Sequence, residues 1–330
     1  MLKTAHVSAS EEALTVAEIQ DLGQAWIDDG EMRQLSDCTL TERRGVVTKL
    51  VWFLKDGELA QCGTRQFRAF LAYVNRGHED PRGRWGNRHM TKPAGPGTLK
   101  AYHRVVRAFC NWLVETGDLE HSPIDSLRAP IVRADQIKPF SRDQMSGLLG
   151  AAHQSTHPRR NEAVVFMLAD TGIRASECCA LKRSDLDLTG KCVTIHGKGK
   201  KVRSVPLGRQ ATRALWAYLR EEERDQAQDG YVFISERGST VGDPLTRRGL
   251  YHVLHDLGVD AKLQGVRCSP HTFRHYFAVE FLRAGGNVFT LKELLGHTTL
   301  AMTNKYVAFV QADREAQHRQ FSPGDRIKRK

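Results

Sequence analysis

Apolar residues recur at helical spacing in three stretches of the first 130 positions. In Thr41–Leu54 the set is Val46, Val47, Leu50, Val51, Phe53 and Leu54. In Thr64–Val74 it is Phe67, Phe70, Leu71 and Val74, and in Thr98–Val114 it is Tyr102, Val105, Val106, Phe109, Trp112 and Leu113. Residues three and four apart share one face of a helix, so each stretch predicts an amphipathic helix with its leading threonine as N-cap. A fourth helix is expected near Ala17–Ile27. Residues 1–10 read as a disordered start and 11–127 as a small all-α domain. Within it, residues 77–97 (GHEDPRGRWGNRHMTKPAGPG) form a Gly/Pro/Arg-rich loop. Its basic residues either track a phosphate backbone or decorate a mobile surface loop.

Residues 128–138 (RAPIVRADQIK) lack periodicity and read as an extended basic linker. A second domain, 139–330, opens with Ser141 as N-cap and Gln144 completing a capping box. Asn161–Asp170 is a strongly apolar helix stopped by Thr171-Gly172, and another is expected over Arg174–Leu181. Residues 185–188, 192–195 and 202–206 are short strand candidates joined by Thr189-Gly190 and by the basic turn HGKGKK. Helical patterns return at 209–222, 245–257, 271–284, 290–295 and 299–308. The expected architecture is two domains, mainly α, with one small antiparallel sheet in the second.

Charge alters this picture. The net charge is +11, and residues 1–60 carry 6 Lys and Arg against 11 Asp and Glu, whereas residues 61–130 carry 11 against 6. The remaining excess lies beyond residue 130, which points to a polyanionic partner. Lys100, His103, Arg104 and Arg107 lie opposite the apolar stripe of the third helix, as a phosphate-contacting or merely solvated face. The apolar runs are too short to span a membrane, and the amino terminus lacks a signal-type apolar segment. Seven scattered cysteines without CxxC spacing fit reduced thiols in a cytoplasmic protein.

Several chemistries are excluded by spacing. GKGKK at 197–201 and AGPGT at 94–98 do not make a P-loop. His271 and His275 stand i,i+4, but HTFRH lacks the glutamate of a zinc protease, and Arg274 places a positive charge between them. What remains is a set of cations and hydrogen-bonding groups at helix ends and turns: Arg174, Lys198, His271, Arg274, His297 and Tyr306. Helix starts expose unpaired N–H groups suited to phosphate, and Ser269 and Pro270 mark one such start. Each residue alone has a structural alternative, as a helix-end cation, a turn lysine, a capping histidine or a core tyrosine.

In this order and spacing, TGIRASE (171–177), GKGKKVRSVPL (197–207), SPHTFRH (269–275), LLGH (294–297) and KY (305–306) resemble the tyrosine recombinase (phage integrase) family. The resemblance runs from Phe140 to the carboxyl end, while the first domain more loosely resembles the family's helical, SAM-like core-binding domain. It implies a catalytic domain of the DNA breaking-rejoining fold, with Tyr306 as nucleophile. Arg174, His271, Arg274 and His297 would surround the scissile phosphate. Lys198 would act from the β-hairpin, and Glu177 would orient its neighbours. Lys200, Lys201 and Arg203 would join Lys100, His103, Arg104 and Arg107 in holding DNA. Ile173 and Phe273 replace the family's usual leucines, and Cys178-Cys179 replace apolar residues.

The chemistry so implied is attack by a tyrosine on a phosphodiester, giving a covalent 3′-phosphotyrosine without ATP, metal or other cofactor. The expected partner is duplex DNA carrying specific sites, joined within a homotetramer on two sites, in the cytoplasm at the nucleoid. The first domain begins too near the amino terminus for a separate arm-site-binding domain, which favours a simple, Xer-like two-domain enzyme. Alternatives are a type IB topoisomerase and a catalytically silent DNA-binding regulator. The tail, 307–330, is expected to dock on a neighbouring protomer, with a helix over 311–320.

Overall fold

A computed structural model describes residues 13–78, 82–131, 138–197, 199, 201–220, 230–236, 241–307, 318, 322 and 324. The expected disordered start, Lys198, Lys200, most of the linker and nearly all of the tail lie outside the described residues. Two compact units divide the chain, Met1–Asp135 and Gln136–Lys330.

In the first unit, β1 (Leu14–Thr15) leads into α1 (Val16–Met32) and α2 (Asp37–Asp56), followed by β2 (Gln61–Cys62), α3 (Thr64–Asn75) and α4 (Pro96–Thr116). The four helices stand where the periodicity placed them, each extending past the predicted stretch. The N-caps differ. Ser36, not Thr41, caps α2, accepting from the Thr39 N–H, while Gly63 and Gly95 occupy the cap positions of α3 and α4. Apolar spacing marks the buried face but not the polar first turn, so Thr41 falls a turn inside its helix. The ladder pairing Leu14 with Cys62 and Thr15 with Gln61 is also absent from the all-α expectation. Two residues per strand are too few to leave an alternating pattern.

The core of this unit gathers Ile19, Trp26, Leu50, Leu54, Phe67, Phe70, Phe109 and Leu113, all essentially inaccessible. Truncating a buried phenylalanine such as Phe67 to alanine would cost about 3–5 kcal/mol. His103 needs correction. It is only 3 % exposed, and its Nε2 bonds the Leu127 carbonyl at 3.0 Å, so it fastens the segment after α4 rather than facing a ligand.

The second unit runs α5 (Arg142–Gln154), α6 (Pro158–Thr171), α7 (Ala175–Cys179), a 3-10 turn at Arg183–Asp185, β3 (Leu186–Asp187), β4 (Cys192–His196) and β5 (Val202–Pro206). Then come α8 (Arg209–Arg220), α9 (Arg247–Asp260), α10 (Pro270–Arg283), α11 (Val288–Leu295) and α12 (Ala301–Val307). The sheet is antiparallel in the order β3-β4-β5, with Val193 opposite Val205 and Ile195 opposite Arg203. Alternation sends Val193, Ile195 and Val205 into the core and leaves their neighbours more open. The Ser141–Gln144 capping box forms as expected, with reciprocal bonds of 3.0 and 3.1 Å. The helix expected over Arg174–Leu181 is shorter, with Arg174 as its N-cap. A large core joins α5, α6, α8, α9 and the sheet, and a smaller one is built on Ala278, Val279, Leu291, Leu295 and Tyr306. No helix among the described residues is long and apolar enough to cross a membrane.

Candidate active site

Gly296 adopts φ +62°, the left-handed conformation that ends α11, and its neighbourhood presents three successive carbonyls. Each receives one arginine. Arg203 Nε donates to Leu294 O at 2.8 Å, an Arg274 terminal nitrogen to Leu295 O at 2.8 Å, and an Arg174 terminal nitrogen to Gly296 O at 3.0 Å. A helix carboxyl end carries partial negative charge, so it suits three guanidiniums better than any neutral turn. Arg274 also donates to Gly172 O at 2.7 Å, where α6 ends on a second left-handed glycine, φ +58°. The motifs TGIR and LLGH are thus two helix ends whose exposed carbonyls fix the same arginine.

Glu177 ties the set together. Its carboxylate accepts from Arg174 at 2.8 Å and from both terminal nitrogens of Arg203 at 3.0 and 2.8 Å, and it caps α7 through the Arg174 backbone N–H at 2.8 Å. Burial penalises this charge, yet the bonds from Arg203 and Arg174 outweigh it and hold the carboxyl below its ordinary value. Arg203 is therefore placed by β5 as an internal brace, its side chain 15 % exposed, rather than as the DNA contact expected from sequence. Burial and then Arg174 lower Arg274 to about 10, which leaves it charged at neutral pH.

The histidines surround a buried phenol. Tyr306 on α12 is 1 % exposed, and its hydroxyl lies 2.9 Å from His275 Nδ1. Its ring stacks near that of His297, centroids 6.4 Å apart and 6° from parallel. Burial pushes the phenol up, opposed by the charge and hydrogen bond of Arg274. His297 Nδ1 is engaged by Thr303 Oγ1 at 2.8 Å. Burial first, then Arg274 and Arg174, bring His297 down to about 4; burial followed by Lys305 and His271 brings His275 to about 4 as well. Both rings are neutral at pH 7. His271, at the start of α10, is lowered by burial and by Arg274.

Two clefts open on Arg174. One, of about 510 Å³, is lined by Arg174, His271 and Arg274 together with Arg247, Arg248 and Tyr251. The other, of about 800 Å³, is lined by Arg174, Glu177, Lys201, Arg203 and His297. The structure thus brings together Arg174, Glu177, His271, Arg274, His297 and Tyr306, with Lys201 at the rim; Lys198 and Lys200 lie outside the described residues. Lys100, Arg104 and Arg107 are exposed on α4 in the first unit. Sequence reasoning did not single out Arg247 and Arg248, nor His275 beyond its rejected zinc pairing. The i,i+4 spacing of His271 and His275 was the available signal, because it puts both rings on one face of α10.

Residues 138–312 match the model of the phage integrase family. The chain belongs to this family. It is 41 % identical over 219 residues to the tyrosine recombinase XerC of Bacillus pumilus, spanning 63 % of this chain and 69 % of that protein. It is 31 % identical over 235 residues to XerD of Listeria monocytogenes, spanning 69 % and 77 %. Among solved structures, the Tn1549 transposon integrase in complex with transposon right end DNA superposes with TM-score 0.69, at 17 % identity, over 93 % of this chain and 99 % of that one. XerH site-specific recombinase bound to a palindromic difH substrate gives TM-score 0.66, at 17 % identity, over 94 % and 85 %. These two likenesses establish the fold. Family membership makes the chain a tyrosine recombinase, an enzyme of site-specific DNA cutting and rejoining.

Proposed function

We propose that the enzyme cleaves each strand through a covalent 3′-phosphotyrosine on Tyr306 and reseals it to a partner strand. The observation carrying this reading is the Tyr306 hydroxyl, held among Arg274, His275 and His297 beside the cleft on Arg174. In the step, the Tyr306 oxygen bonds to phosphorus and the bond to the 5′ oxygen breaks. Arg174 and Arg274, braced on helix carboxyl ends, face the non-bridging oxygens, where one such donor is worth about 10²–10³ in rate. His271 and His297 add hydrogen bonds to the same phosphate. The phenolic proton passes to His275 Nδ1, the nearest base to the hydroxyl, and Lys198 protonates the leaving 5′ oxygen. The new phosphotyrosine conserves bond energy, so rejoining is the same step reversed.

We further propose residues 11–127 as the core-binding domain and 139–330 as the catalytic domain, acting as a homotetramer on two sites in the cytoplasm. A test that needs no prior site is incubation with a randomised duplex library, denaturation, and sequencing of the DNA left bound to protein. The reading expects a recurring sequence in the covalent fraction, with the adduct peptide containing Tyr306. Efficient relaxation of supercoiled plasmid lacking that sequence would instead favour the topoisomerase alternative, and an empty covalent fraction the silent regulator.

A further inference from the structure

The connection between α3 and α4 runs from Arg76 to Gly95, far longer than the roughly 2–8 residues usual between packed helices. Its described part is tightly built. Trp85 sits at φ +60°, a strained conformation for a bulky residue. Its ring packs on Trp52, Phe70, Tyr73 and Tyr102, with centroids 5.7, 5.7, 5.0 and 6.3 Å away. Backbone bonds from His78 to Thr91 (2.7 Å), Arg84 to Met90 (3.0 Å) and Met90 to Asn87 (2.8 Å) fold the chain back on itself. Gly83 has φ +62°, and a Cβ there would come within 2.0 Å of Asn87 O, so this turn admits only glycine. The sequence left open a mobile loop or a phosphate-tracking one, and this packing argues against mobility.

Glu79 and Asp80 lie early in this connection, and the charge beyond them is one-sided. From Pro81 to Val114 the chain has seven Lys and Arg and no Asp or Glu. On α4, Arg104 pairs with Glu42 at 2.7 Å and Arg107 with Asp125 at 3.4 Å. By contrast Arg88, Lys92 and Lys100 are exposed and meet no carboxylate among the described residues. Beneath them Arg84 is 5 % exposed; one terminal nitrogen donates to the Lys92 carbonyl, while among the described residues its Nε finds no partner and no carboxylate neutralises it. A buried guanidinium without a counter-charge is costly, and an anion above it offsets that cost.

We infer that the loop around Arg84, Arg88, His89 and Lys92 is a preformed contact for the phosphate backbone of duplex DNA, stronger per charge than the ion-paired arginines of α4. The inference rests on the DNA-acting function proposed above. The partner is a phosphodiester backbone because Arg84, Arg88, Lys92 and Lys100 meet no carboxylate among the described residues, and Lys100 continues the cationic run onto α4.

The test uses the full chain and a fluorescent mixed-sequence duplex, since backbone contact does not depend on base sequence. The double variant Arg88→Gln/Lys92→Gln is compared with Arg33→Gln/Lys55→Gln, which removes the same charge from elsewhere in the unit. Expected for the loop pair is about tenfold weaker binding at fixed salt, with the slope of log affinity against log salt shallower by about two. The comparison pair should leave the slope unchanged, and thermal unfolding of both should match the parent. Loop variants that bind with the parental slope, or a comparison pair that loses as much, overturn the inference. Covalent adducts from the parent, scored in parallel on the randomised duplex library, separate the cases. If they form while the loop variant binds normally, only this inference falls; if the parent neither binds nor reacts, the recombinase mechanism falls with it.

Discussion

A phenol titrates near 10 in water and is higher here through burial, so Tyr306 needs help to become a nucleophile. In the proposed mechanism Arg274 supplies charge and His275, 2.9 Å from the hydroxyl, takes the proton. His275→Asn keeps a hydrogen-bond acceptor near the Nδ1 position but cannot take the proton at neutral pH. Both His275→Asn and His275→Ala are expected to lower single-turnover cleavage by about 10²–10⁴ with DNA affinity unchanged. Parental cleavage by His275→Asn alone would reduce His275 to a positioning residue.

The same burial makes acid sensitivity predictable. His275 and His297 titrate near 4 when folded but near 6.5 when unfolded. Between those values the unfolded chain binds more protons, so their stabilisation is complete above about pH 6.5 and declines as pH falls toward 4. Urea midpoints across that range should fall less steeply for His297→Gln than for the parent; identical slopes would contradict the burial argument.

At the scale of elements, the site is a product of helix ends. Gly172 and Gly296 end α6 and α11 in the left-handed region, and the carbonyls they expose hold the arginines. Gly172→Ala would add about 1–2 kcal/mol of backbone strain. Its Cβ would also stand 2.6 Å from the Phe277 ring and 2.9 Å from Leu295. We expect a lower unfolding midpoint and slower cleavage, because the Arg274 anchor moves; a variant with parental kinetics would detach Arg274 placement from this turn.

How much was legible beforehand follows the same logic. Helix faces, the strands of the β3-β4-β5 sheet and the Ser141 and Ser269 caps were readable because periodicity and capping are local. Arg203 and His103 were misread as DNA contacts because a cationic side chain opposite an apolar stripe, or on a basic hairpin, looks the same whether it meets solvent or a buried carbonyl. Nothing near Arg203 in sequence announces Glu177 or Leu294, which lie 26 and 91 residues away. The His275–Tyr306 contact spans 31 residues and was invisible for the same reason.

For the whole molecule, the proposal is that DNA meets basic faces on both units while the chemistry resides in the second. Residues 307–330, which follow Tyr306, are proposed to couple protomers. Truncation after Phe309 should leave single-site binding nearly unchanged but weaken cooperative occupancy of paired sites and reduce recombination more than binding. Gel-shift titration on one-site and two-site DNA at one salt concentration reads this directly. Poor binding to one site, or normal recombination, would remove the tail from that role.

In the proposed mechanism Tyr306 carries the DNA strand. Once the recurring site is known, a duplex nicked beside the cleavage point lets the short strand diffuse away and traps the covalent complex. The parent should accumulate an adduct that survives denaturation, with the DNA attached at Tyr306 by peptide mapping. Tyr306→Phe should bind the same duplex with unchanged affinity and give none. Adducts persisting in Tyr306→Phe, or mapping to Tyr276, would contradict it.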